Sequence, residues 1–468
     1  MTDTAEERAA QKPFGWRFTF PLLLGSTLNP INSSMIATGL VGIAADFHTG
    51  PGQTATLVSV LYLCSAVMQP TMGKLSTLFG PRRIFLIGVF ILFVAGVVGA
   101  AAPTFGFLLL SRALIGVGTS AAYPTAMALV RRRADERGIG VPSRVLGNFS
   151  IASQITTVFG LPIGGVLAGS FGWRALFLVN VPLAIVTFVF AFWGVAKDPR
   201  SPGRRGGILA AIDLPGIALF GVAIVSLLLF LSDLTTPVWW LLAVSLVLIA
   251  ALVLWERRTA QPLIDVRMLA RNAPLQRTYL RQTLIGLGIY TALYGSSQWM
   301  EQSAGLSPLA VGLILLPLSG ASIVLARLNS NRGWIRWPLI AGAVALVLTG
   351  GVILLITHSS GILVLALIAM SLMFGVTNGF SGFANQAALY LQAPAKEIAV
   401  AAGLYRTFAY IGAIFSSSLI GIVFGSTVTD AGFHRLGWVI IGIGAASALL
   451  TVLDRRIPVV APAERAGR

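Results

Sequence analysis

Long apolar stretches recur along the whole chain, and each could cross a membrane as a helix. About 18 or more apolar residues are enough to span a hydrocarbon core of roughly 30 Å. Fourteen such stretches occupy residues 19–45, 54–74, 84–102, 105–130, 145–169, 175–196, 212–232, 238–255, 279–303, 308–326, 337–357, 361–391, 398–425 and 435–453. The composition agrees, because 56% of the 468 residues are hydrophobic and only 10% are charged. An all-α membrane protein is therefore predicted, and a soluble globular protein is excluded.

Arginine and lysine cluster at those ends of the stretches that would face one side of the membrane. If the chain starts inside and alternates, 29 of its 33 basic residues fall on the inner side. Arg174 and Arg435 fall outside, and Arg112 and Arg406 lie within helices. The positive-inside rule thus predicts a multi-pass protein with an even number of helices and both termini cytoplasmic. The formal charge of +17 is explained by contact with anionic inner-leaflet lipids, so no nucleic-acid partner is expected.

Two inner loops are alike at a fixed distance along the sequence. Three pairs of residues are separated by 253 positions: Leu75 and Leu328, Gly80 and Gly333, and Arg83 and Arg336. Both loops join the second and third helices of a six-helix set, which indicates an internal repeat with two helices inserted between its halves. Short basic loops that contain glycine can also look alike by chance.

The predicted organisation has two six-helix bundles. The ranges are a cytoplasmic segment at 1–18, the N-terminal bundle at 19–196, a linker at 197–211, two inserted helices at 212–255, a linker at 256–278, the C-terminal bundle at 279–453 and a cytoplasmic tail at 454–468. Paired bundles around a midplane site are the architecture of alternating-access carriers. The sequence has no GxxxxGK[ST] loop, so a gradient would have to drive transport.

Other classes of function find little support. Cys64 is the only cysteine and lies in the second apolar stretch, which excludes a disulfide framework and a cysteine-based metal site. No nucleophile and base pair stands out, so a membrane-embedded enzyme or sensor is a remote alternative. We expect no cofactor or metal, a small-molecule substrate and a monomer.

Four short motifs occur in a fixed order along the first half. The loop from Gly73 to Arg83 is similar to GxLxDRxGRR at Gly73, Leu75, Gly80, Arg82 and Arg83. Residues 110–118 are similar to a helix signature that has a buried arginine, here Arg112. The motif GPxxGG is similar to Gly160, Pro162, Gly164 and Gly165, and WRWxFxINxP is similar to residues 173–182. With these motifs the chain resembles the major facilitator superfamily, specifically its fourteen-helix drug:proton antiporter group.

The resemblance implies the major facilitator fold, with two inserted peripheral helices, and proton-coupled export of small hydrophobic compounds, as in multidrug efflux. It also implies a gating function for the loop from Gly73 to Arg83 and a coupling function for Arg112. Two positions depart from the group: Asn32 stands in the place of an aspartate and Thr77 in the place of the loop's acid. Because an amide cannot carry a proton, the alternative is a facilitator or importer of a small neutral or anionic metabolite.

Three ionisable side chains lie within apolar stretches, where charge is costly and often functional. Arg112 would couple protons or anchor substrate, or would instead bind backbone carbonyls of its neighbours. Glu301 follows Tyr290, Tyr294 and Gln298 on one helical face, and partial burial would bring its pKa towards neutrality; it could equally end the helix in solvent. Arg406 would face the cavity or extend to the inner interface.

Polar stripes on several helices complete the predicted cavity. Residues at helical spacings of three, four and seven share a face. The predicted lining residues are Asn29, Asn32, Ser33, Gln154, Thr157, Tyr290, Tyr294, Gln298, Asn378, Asn385, Arg406 and Tyr410, with Ser381 between the last two asparagines. Hydrogen bonding between helices is the alternative for each of these side chains.

Overall fold

The chain folds into helices joined by short connections. The computed structural model describes residues 14–49, 51–199, 212–357, 361–425 and 427–460. Within these ranges the only extended pairing is an isolated bridge between Trp334 and Val460. The all-α fold predicted from the apolar stretches is therefore observed in the described part of the chain.

The helices of the first half lie at the predicted apolar stretches, and those at Pro51–Phe79 and Ser143–Phe171 extend beyond their stretches at both ends. They are α1 (Trp16–Met35), α2 (Leu40–Phe47), α3 (Pro51–Phe79), α4 (Pro81–Ala100), α5 (Phe105–Ser120), α6 (Ala122–Glu136), α7 (Ser143–Phe171), α8 (Ala175–Leu178) and α9 (Asn180–Gly194). A short 3-10 turn at Ile36–Gly39 joins α1 to α2.

The remaining helices also lie at predicted apolar stretches, except for the short helix at Val266–Arg271. They are α10 (Leu214–Ser232), α11 (Trp239–Glu256), α12 (Val266–Arg271), α13 (Ala273–Gln302), α14 (Pro308–Arg332), α15 (Arg336–Leu354), α16 (Leu363–Gln392), α17 (Ile398–Phe424) and α18 (Asp430–Leu453). A 3-10 turn at Ala395–Glu397 precedes α17.

Among the described residues, eleven helical spans are long and apolar enough to cross a membrane. Of the predicted stretches, the first and the ninth, which lie in α1–α2 and in α13, fall short. These helices carry many of the predicted polar stripes, and amide, hydroxyl and glycine residues lower their hydropathy. The fifth stretch, in α7, includes side chains outside the described part of the structure, so the count of eleven leaves it open. Such helices need polar partners inside the protein if they are to sit in lipid. The count of fourteen and the cytoplasmic termini stay predictions.

The helices group into two compact units. The first unit comprises Met1–Ile217, Thr259–Ile264 and Pro394–Leu404, and the second comprises Ala218–Arg258, Asp265–Ala393 and Tyr405–Arg468. In the second unit the Trp299 and Phe433 rings stack with their centroids 4.3 Å apart, at the centre of an apolar cluster. The domain boundaries predicted from the repeat stay a prediction.

A fully buried ion pair joins α13 to the end of α18 in the second unit. Arg281 Nη2 lies 3.2 Å from Asp454 Oδ2, and both side chains are 0% exposed. Arg277 Nη1 contacts the other carboxylate oxygen at 2.7 Å. Arg281 also donates to Thr451 Oγ1 at 3.1 Å and to Asn385 Oδ1 at 3.2 Å. The buried guanidinium thus has both a counter-ion and neutral acceptors.

Glycines of α7 bring this helix close to α1 in the first unit. A Cβ atom at Gly164 would lie 2.9 Å from both the Cα and the backbone oxygen of Met35, and one at Gly160 would clash with the Ser34 hydroxyl. At Gly165 a Cβ would meet nothing within 4 Å. Two of the motif glycines therefore serve helix packing, whereas Gly165 and Pro162 are exposed.

Replacing Gly164 and its neighbour Gly165 by alanine should distinguish the effect of close packing on the Tm from the effect of helix propensity. Gly164→Ala should lower the Tm of the detergent-purified protein, because overpacking against the α1 backbone costs about 1–3 kcal/mol. Gly165→Ala should leave the Tm unchanged or raise it slightly, since alanine favours a helix. Equal Tm values for the two variants would contradict the close contact between α7 and α1.

Candidate substrate and coupling site

Asn29 joins three helices of the first unit. Its buried side-chain amide on α1 donates to Ser65 Oγ of α3 at 2.8 Å and to Thr119 Oγ1 of α5 at 2.9 Å. Neither acceptor is among the predicted lining residues. Asn29, a predicted cavity residue, is therefore bound between helices within its own unit.

Asn32 forms a reciprocal amide pair with Asn180 of α9. The Asn32 nitrogen donates to Asn180 Oδ1 at 2.6 Å, and the Asn180 nitrogen donates back to Asn32 Oδ1 at 2.9 Å. The two side chains are 2% and 0% exposed. Each amide thus satisfies the other, and neither can take or release a proton near neutral pH. Asn180 belongs to the motif at residues 173–182, which was the one sequence signal for this pair.

Arg112 lies inside the first unit with only part of its hydrogen-bonding capacity used. Its guanidinium donates from Nε to the Leu57 carbonyl at 2.9 Å and from Nη1 to the Asn32 carbonyl at 3.2 Å. Nη2 is buried and has no hydrogen-bond partner among the described residues. Tyr62 of α3, which hydrogen-bonds Ser33, is close enough to interact with it electrostatically. Neutral acceptors therefore hold this cation in place.

The other predicted lining residues of this unit are less exposed than a solvent-filled cavity would require. Ser33 is half-buried and donates to the Asn29 carbonyl at 3.0 Å. Gln154 of α7 is 6% exposed and donates to Ser150 Oγ at 3.1 Å, while its Oε1 is buried without a partner among the described residues. The side chain of Thr157 lies outside the described part of the structure.

The stripe on α13 does share one face, as predicted. The Tyr290 and Tyr294 rings stack at 5.6 Å, and Tyr294, Gln298 and Glu301 are exposed. Of the two placements left open for Glu301, the structure shows the helix end and not partial burial, because this residue lies in the last turn of α13, which ends at Gln302. Its function as a proton carrier stays a prediction.

The predicted lining residues on α16 and α17 differ in their surroundings. Asn385 is fully buried; besides accepting from Arg281, it donates to Gln282 Oε1 at 3.0 Å. Its amide is thus part of the ion-pair network of the second unit. Asn378, Arg406 and Tyr410 are half-buried, and Ser381 is buried.

The ion pair itself was missed by the sequence analysis. Arg281 was grouped with the inner basic residues and Asp454 with the cytoplasmic tail, since both are close to the ends of apolar stretches. The structure therefore adds a third arginine to the two that were placed within helices.

The predicted gating loop is held by an acid from far along the chain. Asp198 is 2% exposed at its side chain and pairs with Arg132 at 2.8 Å. Its two oxygens accept from the backbone amides of Arg82 at 3.2 Å and Arg83 at 2.9 Å. A carboxylate at the start of α4 accepts from the first backbone amides of this helix and interacts favourably with the positive end of the helix dipole. Gly80 makes the turn before it, with a φ of +97°.

The other end of the same loop touches the backbone of α17. A Cβ at Gly73 would lie 2.6 Å from the Ala399 carbonyl oxygen, within the first unit. Leu75 is half-buried against the Met72, Ile84 and Ala121 cluster. The matched loop residues are therefore used for close packing and for helix capping.

The sequence of this chain is similar to those of known proteins. A model of the Major Facilitator Superfamily matches residues 22–417. The uncharacterized MFS-type transporter YwoD of Bacillus subtilis is 34% identical over 432 residues, which cover 92% of this chain and 94% of that protein. The tetracenomycin C resistance and export protein of Streptomyces glaucescens is 25% identical over 432 residues, covering 89% and 77%.

A solved structure shows the same fold. The proton:xylose symporter XylE, bound to 6-bromo-6-deoxy-D-glucose, superposes with a TM-score of 0.64 at 14% identity, covering 97% of this chain and 99% of that one. The family resemblance drawn from the motifs is confirmed. The chain belongs to the major facilitator superfamily and is a multi-pass membrane transporter.

Proposed function

We propose that the chain is a proton-coupled secondary active transporter that exports small hydrophobic organic compounds across the bacterial cytoplasmic membrane by alternating access. The observation that carries the proposal is Arg112, a cation inside an apolar helical unit that has unused donor capacity. Ionisable groups in such surroundings commonly mark a substrate or proton pathway. A relative named as a resistance and export protein supports the direction of transport.

In this proposal fourteen helices cross the membrane and both termini are cytoplasmic. Residues 19–196 and 279–453 form the two moving bundles, and residues 212–255 are peripheral. The basic inner loops contact anionic lipids, and one chain is the transporting unit. The sequence has no GxxxxGK[ST] loop, which favours transport driven by a gradient, and the gradient we propose is that of protons.

Glu301 is the proposed proton carrier, and Arg112 is proposed to take part in proton coupling. Most other described carboxylates are occupied: Asp454 and Asp198 by arginines, and Asp213 by the backbone amides of Gly216 and Leu263. An ion-paired carboxylate resists protonation. Within the described residues no hydrogen bond or ion pair engages Glu301. Glu301 can therefore serve as the carrier without the loss of a buried ion pair.

The alternative function is a facilitator or importer of a small neutral or anionic metabolite without proton antiport. The Asn32–Asn180 pair favours it, because two amides stand where a titratable acid would serve coupling. The same fold would then carry substrate down its own gradient.

Flux measurements on purified protein in liposomes should separate these two functions. An imposed pH gradient should drive accumulation of hydrophobic test compounds, with chloramphenicol as the neutral member and 2-naphthoate as the acidic member of the panel. Protein-free liposomes correct for passive distribution of the weak acid. Flux that is the same with and without the gradient would contradict proton coupling.

Substituting the proposed proton carrier should uncouple transport. Glu301→Gln should lower gradient-driven accumulation by at least about tenfold, because an amide cannot exchange the proton, while downhill exchange should persist. Asp135→Asn, which removes a carboxylate from an exposed pair with Arg131, is the matched control and should transport normally. Undiminished gradient-driven accumulation in Glu301→Gln would refute this residue's function.

A further inference from the structure

Two buried arginines of this chain have opposite surroundings. Arg281 is 0% exposed and pairs with Asp454. Arg112 is 1% exposed, and no carboxylate within the described residues lies at ion-pair distance from it. Its two hydrogen-bonded nitrogens both contact backbone carbonyls, those of Leu57 and Asn32. The charge of Arg281 in the second unit is thus balanced by a carboxylate, whereas the charge of Arg112 in the first unit has no counter-ion among the described residues.

The free edge of the Arg112 guanidinium has the geometry of an anion-binding group. Nη2 carries two N–H groups, and neither has an acceptor among the described residues. Nη1 uses one N–H for the Asn32 carbonyl and retains a second. Two parallel N–H groups on adjacent nitrogens match the two oxygens of a carboxylate. A carboxylate bound there would satisfy the unused donors and neutralise the buried charge in one step.

The side chains around Arg112 are suited to surround such an anion without competing for its cation. The Asn32 and Asn180 amides bind one another, and the Asn29 amide is engaged by Ser65 and Thr119. None of these groups carries a negative charge. An unpaired buried cation is destabilising, so a ligand that brings the missing charge gains more here than a neutral ligand of the same shape.

We propose that Arg112 is the anion-binding group of the transport site and that the compounds carried are small hydrophobic organic acids, whose carboxylate accepts from Nη1 and Nη2. The proposal rests on the transport function proposed above and specifies its substrate class. Because Arg112 is 1% exposed here, an anion reaches it only after surrounding helices move. Binding and movement are therefore linked, as a carrier requires.

The test compares two ligands that differ only in charge. 2-Naphthoate and 2-naphthamide share a ring system and a planar substituent, and their binding to the full-length purified protein can be followed by thermal shift and by tryptophan fluorescence. Wild-type protein should bind the carboxylate at least about tenfold more tightly, a factor that corresponds to about 1.4 kcal/mol. Equal affinity for the two ligands would overturn the proposal.

Two substitutions identify the group responsible. Arg112→Gln should abolish the preference for the carboxylate and leave 2-naphthamide binding unchanged. Asn32→Asp, which places a resident carboxylate beside the guanidinium, should lower 2-naphthoate affinity at least tenfold even if Arg112→Gln does not fold. Arg435→Gln removes an exposed arginine and should keep the wild-type preference. A preference that persists in Arg112→Gln or in Asn32→Asp would contradict the assignment.

Inorganic anions provide a further arm, because chloride or phosphate offers the same charge. If either alone gives an Arg112-dependent stabilisation equal to that of 2-naphthoate at the same concentration, the site binds small inorganic anions and the organic-acid assignment is wrong. Failure of the anion site can be distinguished from failure of the proposed transport function. Gradient-driven flux of chloramphenicol without a carboxylate preference would refute the anion site alone, whereas a carboxylate preference without gradient-driven flux would refute proton coupling alone.

Discussion

A guanidinium enclosed by apolar helices must find partners for five N–H groups and for a positive charge. In the second unit this requirement is met inside the protein, where Arg281 binds Asp454, Asn385 and Thr451 from two other helices. In the first unit the neighbours of Arg112 supply neutral oxygens only. Much of the polar interior of each unit is arranged around its arginine. The difference between the two is the physical basis of the proposed transport site.

The same requirement accounts for the helices that are least apolar. The spans in α1 and α13 fall short of a membrane-crossing hydropathy. The Asn32 carbonyl of α1 accepts from Arg112, and α13 carries Arg281. Polar side chains in these helices reduce their solubility in lipid but find partners within their units. Close glycine contacts, such as Gly164 of α7 against Met35 of α1, bring the backbones of neighbouring helices near one another.

Sequence patterns predicted what depends on neighbours along the chain. The apolar stretches gave the helices, the shared face of Tyr290 and Tyr294 followed from helical spacing, and the burial of Arg112 followed from its position within a stretch. Pairs formed across the fold could not be predicted in this way: Asn32 and Asn180 are 148 residues apart, and Arg281 and Asp454 are 173 apart. Periodicity left Glu301 between partial burial and an exposed helix end, because apolar residues continue to the end of α13, where the helix surface is already exposed.

Thermal stability without ligand tests the central claim, that one buried arginine is neutralised and the other is not. A buried charge without a counter-ion is costly, so we expect its replacement by an apolar residue of similar length to be neutral or stabilising, whereas breaking a buried ion pair costs about 3–5 kcal/mol. We therefore expect Arg112→Met to keep or raise the Tm of the purified protein and Arg281→Met to lower it clearly. A Tm for Arg112→Met that falls as far as that of Arg281→Met would show that Arg112 is equally well compensated, and would contradict the account.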